Sequence, residues 1–192
     1  MKTDWLTDSL PELAIRIGDR LAHACRDLSD PWRLPVLATQ GMAGPEARVV
    51  VLREISQDRR ELVVFSDRRA PKVRQVQDFP KVALVFYDHD GPVQLRVQGQ
   101  VDLTAYPSPD QGRWSGLTPL QRQNYQSLGA PGETIDSPAS ANLSGPESGL
   151  ENFAVLRISI HAMDWLWLAR QGHRRANFDD ANGLWRCHWV IP

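Results

Sequence analysis

The sequence predicts a mainly β protein, in which short antiparallel strands close into a barrel with a few flanking helices. Short apolar runs with polar ends recur along most of the chain, and turn residues separate them. Few helical stretches lie between these runs, whereas a parallel, doubly wound sheet needs a crossover between successive strands. The chain also lacks the internal repeats, with periods of about 20 to 50 residues, that mark solenoids and propellers.

Composition narrows the class of protein. The 192 residues are 42% apolar, enough for the core of one domain over 1–192. A net charge of −1 argues against a protein that binds mainly nucleic acid or an acidic membrane surface. No apolar run approaches the ~20 residues of a membrane span, and the N-terminus lacks the features of a secretion signal. Two cysteines, Cys25 and Cys187, suit a reducing compartment, so we expect a cytoplasmic protein.

The first element is an amphipathic helix predicted over 9–28. Ser9, three residues before Glu12, is typical of a capping box, and Pro31 and Pro35 end the helical pattern. The apolar residues at helical spacing are Leu10, Leu13, Ala14, Ile17, Leu21, Ala24, Cys25 and Leu28.

Strands follow, and one short helix interrupts them. The run R-V-V-V-L-R at 48–53 has the apolar centre and polar ends of one buried strand, and 92–104 alternates between apolar and polar residues. Pro71 suits the first turn of the helix, which Pro80 ends. The strands predicted here cover 34–39, 48–53, 62–66, 81–87 and 92–104.

The second half begins with a weak helical pattern over 108–126. Residues 127–149 hold twelve Ser, Gly or Pro, which predicts a mobile loop. The remaining residues, 153–192, return to strands, and four of the seven tryptophans fall among them. We expect these tryptophans to lie in the core or an interface. The strands predicted here cover 153–161, 164–169, 173–178 and 184–191.

Several common sites are missing from the sequence. It has neither the glycine-rich pattern of a Rossmann nucleotide site nor that of a P-loop, and no G-x-S-x-G elbow of a hydrolase. The five histidines are scattered and have no cysteine pair beside them, so we predict no metal site.

An anion site is indicated where a strand meets a helix. Ser66 ends a predicted strand, and Lys72 lies in the first turn of the next helix, where free amides and the helix dipole favour a phosphate. From Arg48 to Lys81 the chain has nine basic and five acidic residues, so a solvated basic face explains the pattern equally well. Arg48 and Arg53, five apart on one predicted strand, should point to opposite faces.

Two further groups could contact a flat ring. Gln94, Arg96 and Gln98 share the polar face of a strand, and amides can read the edge of a heteroaromatic ring; a water-facing strand is the alternative. Trp167 precedes the basic residues 173–175, so an indole and guanidinium groups could meet a ring and its phosphate. The alternative is an ordinary core tryptophan.

The order of these residues resembles the flavin-binding family of pyridoxamine 5′-phosphate oxidase. The family pattern R-x-V-L-x-K stands here at 48–53, and the aromatic and hydroxyl residues that close a strand are Phe65 and Ser66. Lys72 matches the basic residue that opens the helix, and Gln94 matches the glutamine of a following strand. The likeness is dense over 48–103 and returns at Trp167 and Phe178.

The resemblance implies a split β-barrel homodimer with one FMN at each of two subunit interfaces. It implies that Arg48, Ser66 and Lys72 hold the phosphate and ribityl chain, and that Gln126 and Ser127 reach the partner's flavin. It places the backbone of 49–52 and the Gln94 side chain at the isoalloxazine edge, with Trp167 nearby. The cofactor-binding residues implied are Arg48, Val49, Val50, Val51, Leu52, Phe65, Ser66, Lys72, Gln94, Gln126, Ser127 and Trp167.

This chain departs from the oxidase at its substrate-binding positions. Pro71 stands where the oxidase has an arginine, and Arg53 replaces a lysine associated with the substrate phosphate. The tail pattern R-x-H-x-R-F is altered at 173–178. If the protein is an oxidase, Arg53, Arg174 and Arg175 are the candidates for binding the substrate, and the sequence assigns no general base.

The resemblance therefore implies an FMN-binding oxidoreductase that acts on a small molecule. The alternative is a non-enzymatic protein that binds flavin, haem or another tetrapyrrole on the same barrel. A third hypothesis, single-stranded nucleic-acid binding by the basic region 48–81, conflicts with the net charge of −1.

Overall fold

The computed structural model describes residues 4–102, 110–138, 149–170 and 172–192. Within them, nine strands form one sheet and the helices lie around it. The α-helices are α1 (Leu10–Ala24), α2 (Pro71–Asp78), α3 (Gln111–Ser115) and α4 (Pro119–Gln123), and 3-10 helices cover Pro31–Arg33 and Leu150–Asn152. The strands are β1 (Val36–Gly41), β2 (Gly44–Val49), β3 (Leu52–Ile55), β4 (Glu61–Asp67), β5 (Lys81–Asp88), β6 (Val93–Asp102), β7 (Phe153–Trp167), β8 (Arg174–Ala181) and β9 (Leu184–Val190).

All strand pairs in the described sheet are antiparallel, which confirms the predicted class. The order is β2-β1-β5-β6-β7-β4-β3, and β8 and β9 extend from β7. The long strand β7 pairs with β4 through 153–159 and with β8 through 162–167. On the side of β7 away from β6, the first half of the strand pairs with β4 and the second half with β8, so the sheet divides along β7.

The predicted single strand over 48–53 is wrong. The chain leaves β2 after Val49 and enters β3 at Leu52, so Val50 and Val51 belong to neither strand. The two strands lie at opposite ends of the sheet order, and this two-residue link therefore requires the sheet to curl until its ends meet. A run of apolar residues indicates a buried segment, but it does not identify the strands with which that segment pairs.

Helix α1 is shorter than the predicted 9–28. The Ser9 side chain accepts a hydrogen bond from the Glu12 amide (3.3 Å), which confirms the start. The helix ends at Ala24, and the Arg33 guanidinium donates to the carbonyl oxygens of Ala24 (3.2 Å) and Cys25 (2.8 Å) beyond its last turn.

Other boundaries shift in smaller ways. The first strand begins at Val36 rather than at residue 34, and 153–161 and 164–169 are one strand. Residues 103–104, 108–109 and 139–148 of the predicted strand, helix and loop lie outside the described residues. The part of the loop over 127–137 contains no helix or extended strand.

The main core lies between α1 and the inner face of the sheet. Its centre is aromatic: Trp5 lies 5.7 Å from both Trp32 and Trp165, and Trp32 lies 5.7 Å from Phe86. The C-terminal tryptophan Trp165 is completely buried, as expected for a core residue. A second apolar cluster comprises Leu117, Tyr125, Phe153, Phe65, Trp114 and Val155.

None of the helices in the described residues is both long enough and apolar enough to span a bilayer.

A close backbone approach at Gly99 allows β6 to bend against β7. The register shifts between Gln98 and Gly99, and a Cβ at position 99 would lie 2.4 Å from the Ser159 carbonyl oxygen. We expect Gly99→Ala to destabilise the protein by about 1–3 kcal/mol in urea unfolding, because the backbone must move. Gly91→Ala is the control, since its Cβ would meet no atom of the described residues within 4 Å. Equal stability of the two variants would contradict this account.

Candidate functional site

Among the described residues, no side chain caps the N-terminus of helix α2. Its N-cap is Ala70 and its first residue is Pro71, so the first-turn amides have no side-chain acceptor there. Lys72, the second residue, is partly buried. Burial lowers the pKa of Lys72, Arg48 lowers it further, and Asp67 acts in the opposite direction. Within the described residues, Lys72 has no hydrogen bond or ion pair, so this end of the helix is cationic and suited to an anion.

Arg48 joins the same site from β2. Its guanidinium donates to the Thr39 hydroxyl, to the Glu46 carboxylate (3.0 Å) and to the Gln75 side-chain oxygen (3.3 Å). Gln75 lies on α2 one turn after Lys72, and it also accepts a hydrogen bond from Thr39 (2.6 Å). These contacts bring β1, β2 and α2 together around the predicted anion site.

The residues before α2 divide between two sides of β4. Ser66 is buried, and its hydroxyl lies 3.2 Å from the Asp67 carbonyl oxygen. Phe65 points to the other side, where its ring meets Phe153 edge-on at 5.0 Å. Of this predicted pair, Phe65 therefore lies in the second apolar cluster.

Ser127 lies against the loop that precedes α2 in the same chain, whereas Gln126 is buried beside Gly149. The Arg69 guanidinium donates to the carbonyl oxygens of Ser127 and Leu128 (3.1 Å each) and to the Asp67 carboxylate (2.8 Å). Sequence reasoning missed Arg69, although it forms a basic pair with Arg68 just before the helix.

Gln94 lies on the outer face of β6, in line with Tyr87 on β5, Leu166 on β7 and Arg175 on β8. Val49 ends β2, which is three strands away in the sheet order. The strand register puts Val49 in line with Val36, Val85 and Arg96, so Gln94 lies two residues further along β6. These two predicted flavin contacts share the outer face of the sheet, three strands apart.

Trp167 lies on the opposite face of the sheet from Gln94. It pairs with the buried Val93 and packs against the main core, with its ring 6.4 Å from that of Trp165. Within one chain, Gln94 and Trp167 therefore face opposite sides of the sheet, because successive residues of a strand alternate in direction.

Arg53 has an unusual environment at a bulge between β3 and β4. The register shifts between Leu52 and Glu54, and the Arg53 guanidinium lies 5.3 Å from the centre of the Phe65 ring. Its Nε is buried and has no hydrogen bond within the described residues, and burial lowers the pKa of Arg53. Tyr125 is close enough to influence the same pKa. Arg53 is therefore a partly desolvated cation beside the Phe65 ring.

Arg174 and Arg175, the other predicted substrate ligands, form ion pairs within the chain. Arg174 donates to the Thr7 carbonyl oxygen (2.9 Å) and the Asp8 carboxylate (2.8 Å). Arg175 donates to both oxygens of Asp164 (3.0 and 2.7 Å). Sequence spacing could not reveal the pair of Arg174, since Asp8 lies 166 residues away. Asp164 is 11 residues before Arg175, and only the register of β7 against β8 brings the two together.

Comparison with known proteins identifies the family. Residues 19–105 match the model of the pyridoxamine 5′-phosphate oxidase FMN-binding domain. A pyridoxine/pyridoxamine 5′-phosphate oxidase from Thermosynechococcus vestitus is 31% identical over 159 residues, which cover 77% of this chain and 72% of the relative. The chain belongs to this family.

Solved structures share the fold. A pyridoxamine 5′-phosphate oxidase-related, FMN-binding protein from Nostoc punctiforme PCC 73102 has a TM-score of 0.75 at 21% identity, over 97% of this chain and 100% of that one. PhzG from Burkholderia lata 383 has a TM-score of 0.70 at 18% identity, over 95% of this chain and 92% of that one. The predicted split β-barrel is confirmed.

The contacts of Arg69 predict how the segment after α4 behaves. We expect Arg69→Ala to speed amide hydrogen exchange at 127–131, because this substitution removes the donors that hold the Ser127 and Leu128 carbonyls. Arg74→Ala is the control, since Arg74 is exposed on α2. Unchanged exchange at 127–131 in the Arg69 variant would contradict this role.

Proposed function

We propose that this protein is an FMN-dependent oxidoreductase that holds the FMN phosphate at the N-terminus of α2. The observation that carries the proposal is Lys72, a partly buried cation that forms no hydrogen bond or ion pair among the described residues. Arg48 and the first-turn amides of α2 complete a donor set suited to a phosphate dianion.

We assign other residues to the rest of FMN. The Ser66 hydroxyl, four residues before the N-cap of α2, is assigned to the ribityl chain. The backbone of Val49, Val50, Val51 and Leu52 includes the link between β2 and β3, where the chain leaves the ladder. FMN supplies hydride and electron transfer when it is bound, while the chain supplies position and charge.

For the substrate, we propose a small anionic molecule with an aromatic ring. Arg53 supports this class because it is partly desolvated, lies over Phe65 and has no acceptor among the described residues. The name of the Thermosynechococcus vestitus relative describes such a substrate. Arg174 and Arg175 are already paired with carboxylates, so we assign them to bracing the N-terminal segment and the sheet.

We also propose that the active unit is a homodimer. Val36, Val49 and Tyr87 are 37%, 60% and 50% exposed, and the strand register places all three on the outer face of the sheet. A second copy on this face would bury them. It would also supply flavin contacts from the second copy, as the resemblance to the family implies for Gln126 and Ser127. We place the protein in the cytoplasm, where its free thiols remain reduced.

Removal of the lysine charge tests the phosphate site. We expect Lys72→Ala to weaken FMN binding by about 1–3 kcal/mol, roughly 5- to 150-fold, in a flavin-fluorescence titration. Arg74→Ala removes one positive charge from the exposed side of the same helix and should have a much smaller effect. Equal affinities of wild type and Lys72→Ala would reject the assignment.

The oxidoreductase activity has its own readout. Anaerobic addition of a reducing substrate to the FMN-loaded protein should bleach the oxidised-flavin absorbance. A protein that binds FMN but shows no bleaching with amine, pyridine-nucleotide or deazaflavin donors would be a carrier instead.

A charge on the outer face tests the dimer. We expect Val36→Glu to produce monomers in light scattering and to weaken FMN binding, because the interface would have to bury an unpaired carboxylate. Leu28→Glu places the same charge at an exposed leucine outside the sheet and should leave the oligomeric state unchanged. A wild-type monomer, or a dimeric Val36 variant with normal FMN affinity, would contradict the proposal.

A further inference from the structure

The terminal donors of Arg48 are already used within the chain. Its Nη1 faces the Thr39 hydroxyl and the carbonyl oxygens of Leu37 (3.5 Å) and Glu46 (3.3 Å). Its Nη2 contacts the Glu46 carboxylate at 3.0 Å and the Gln75 side-chain oxygen at 3.3 Å. The two terminal nitrogens of a guanidinium carry four N–H groups. A phosphate can therefore form two hydrogen bonds with Arg48 only if it displaces one of these acceptors.

Glu46 is the acceptor best able to leave. The Thr39 residue is 3% exposed, and Gln75 is anchored on α2, whereas the Glu46 side chain is 52% exposed on the edge strand β2. Glu46 is also the one whose charge opposes a phosphate, because like charges in contact repel. A phosphate that binds Arg48 therefore competes with the Glu46 carboxylate.

The position of this carboxylate is well defined by the β1–β2 hairpin. Its second oxygen accepts a hydrogen bond from the Gln75 side-chain nitrogen at 2.7 Å. A Cβ at Gly41 would lie 2.8 Å from that oxygen and 3.1 Å from the Gln75 nitrogen. The glycine thus leaves the space in which the Glu46–Gln75 contact forms, and the carboxylate is part of the Arg48 end of the site.

We propose that Glu46 is a specificity-determining residue that competes with the flavin phosphate for Arg48. It moves away when the phosphate binds, and it thereby limits the preference of the protein for FMN over riboflavin, which lacks the phosphate. This inference rests on the proposed function, since it concerns the same phosphate site.

The test compares Glu46→Gln with wild type in fluorescence titrations of FMN and of riboflavin. We expect the ratio of riboflavin Kd to FMN Kd to rise about three- to tenfold, because the competing charge is gone. Asp19→Asn is the matched control, because it also removes one carboxylate charge: Asp19 lies on α1 and pairs with Arg59 at 2.5 Å on the surface. The ratio of the two Kd values for this variant should match that of wild type. Glu46→Ala, which also removes the hydrogen bonds, should change the ratio in the same direction.

An unchanged ratio would overturn the inference. A lower ratio would also overturn it, because Glu46 would then be orienting Arg48 for the phosphate. If wild type binds neither flavin, the proposed function fails, and thermal unfolding in inorganic phosphate tests the inference separately. Phosphate should then raise the Tm of Glu46→Gln more than that of wild type or Asp19→Asn, and equal shifts would overturn it.

Discussion

The fold depends on one short connection, the two residues that link β2 to β3. These strands end the sheet order on opposite sides, so Val50 and Val51 can join them only if the sheet closes on itself. Val50 is buried, and its amide donates to the Pro35 carbonyl oxygen at 2.9 Å, which fixes the link against the start of β1. Because β2 carries Arg48 and β3 carries Arg53, the closure that shapes the barrel also sets where both cations lie.

The two cations have different surroundings. Arg48 is neutralised by Glu46 and braced by α2, whereas Arg53 has an aromatic neighbour and no acceptor among the described residues. At the N-terminus of α2, Lys72 adds a charge that forms no ion pair with any residue the structure describes. The environment of Arg48 and Lys72 therefore suits a strongly charged group that can compete with a carboxylate. The environment of Arg53 suits a weaker anion attached to a ring.

The sequence predicted the features that depend on local signals. Helix α2 and the place of Lys72 in its first turn follow from Pro71 and from the spacing of Val73 and Val76, and the structure agrees. The break at Val50 has no local signal, since the run V-V-V-L is equally apolar on both sides. The ion pairs of Arg174 and Arg175 depend on tertiary contacts with Asp8 and Asp164. Of the site residues that were missed, Gln75 could have been found, because it lies one turn after Lys72 on the same helix.

The phosphate site is the central claim, and ³¹P NMR of FMN mixed with the protein tests it most directly. A free phosphate monoester changes from dianion to monoanion near pH 6, because its second pKa is about 6. If Lys72, Arg48 and the amides of α2 hold the phosphate, it should stay dianionic well below that pH, because the cations stabilise the second charge. The phosphorus resonance of bound FMN should then remain constant through pH 6. A bound resonance that titrates like that of free FMN would show that the phosphate lies in solvent, and it would contradict the site described at α2.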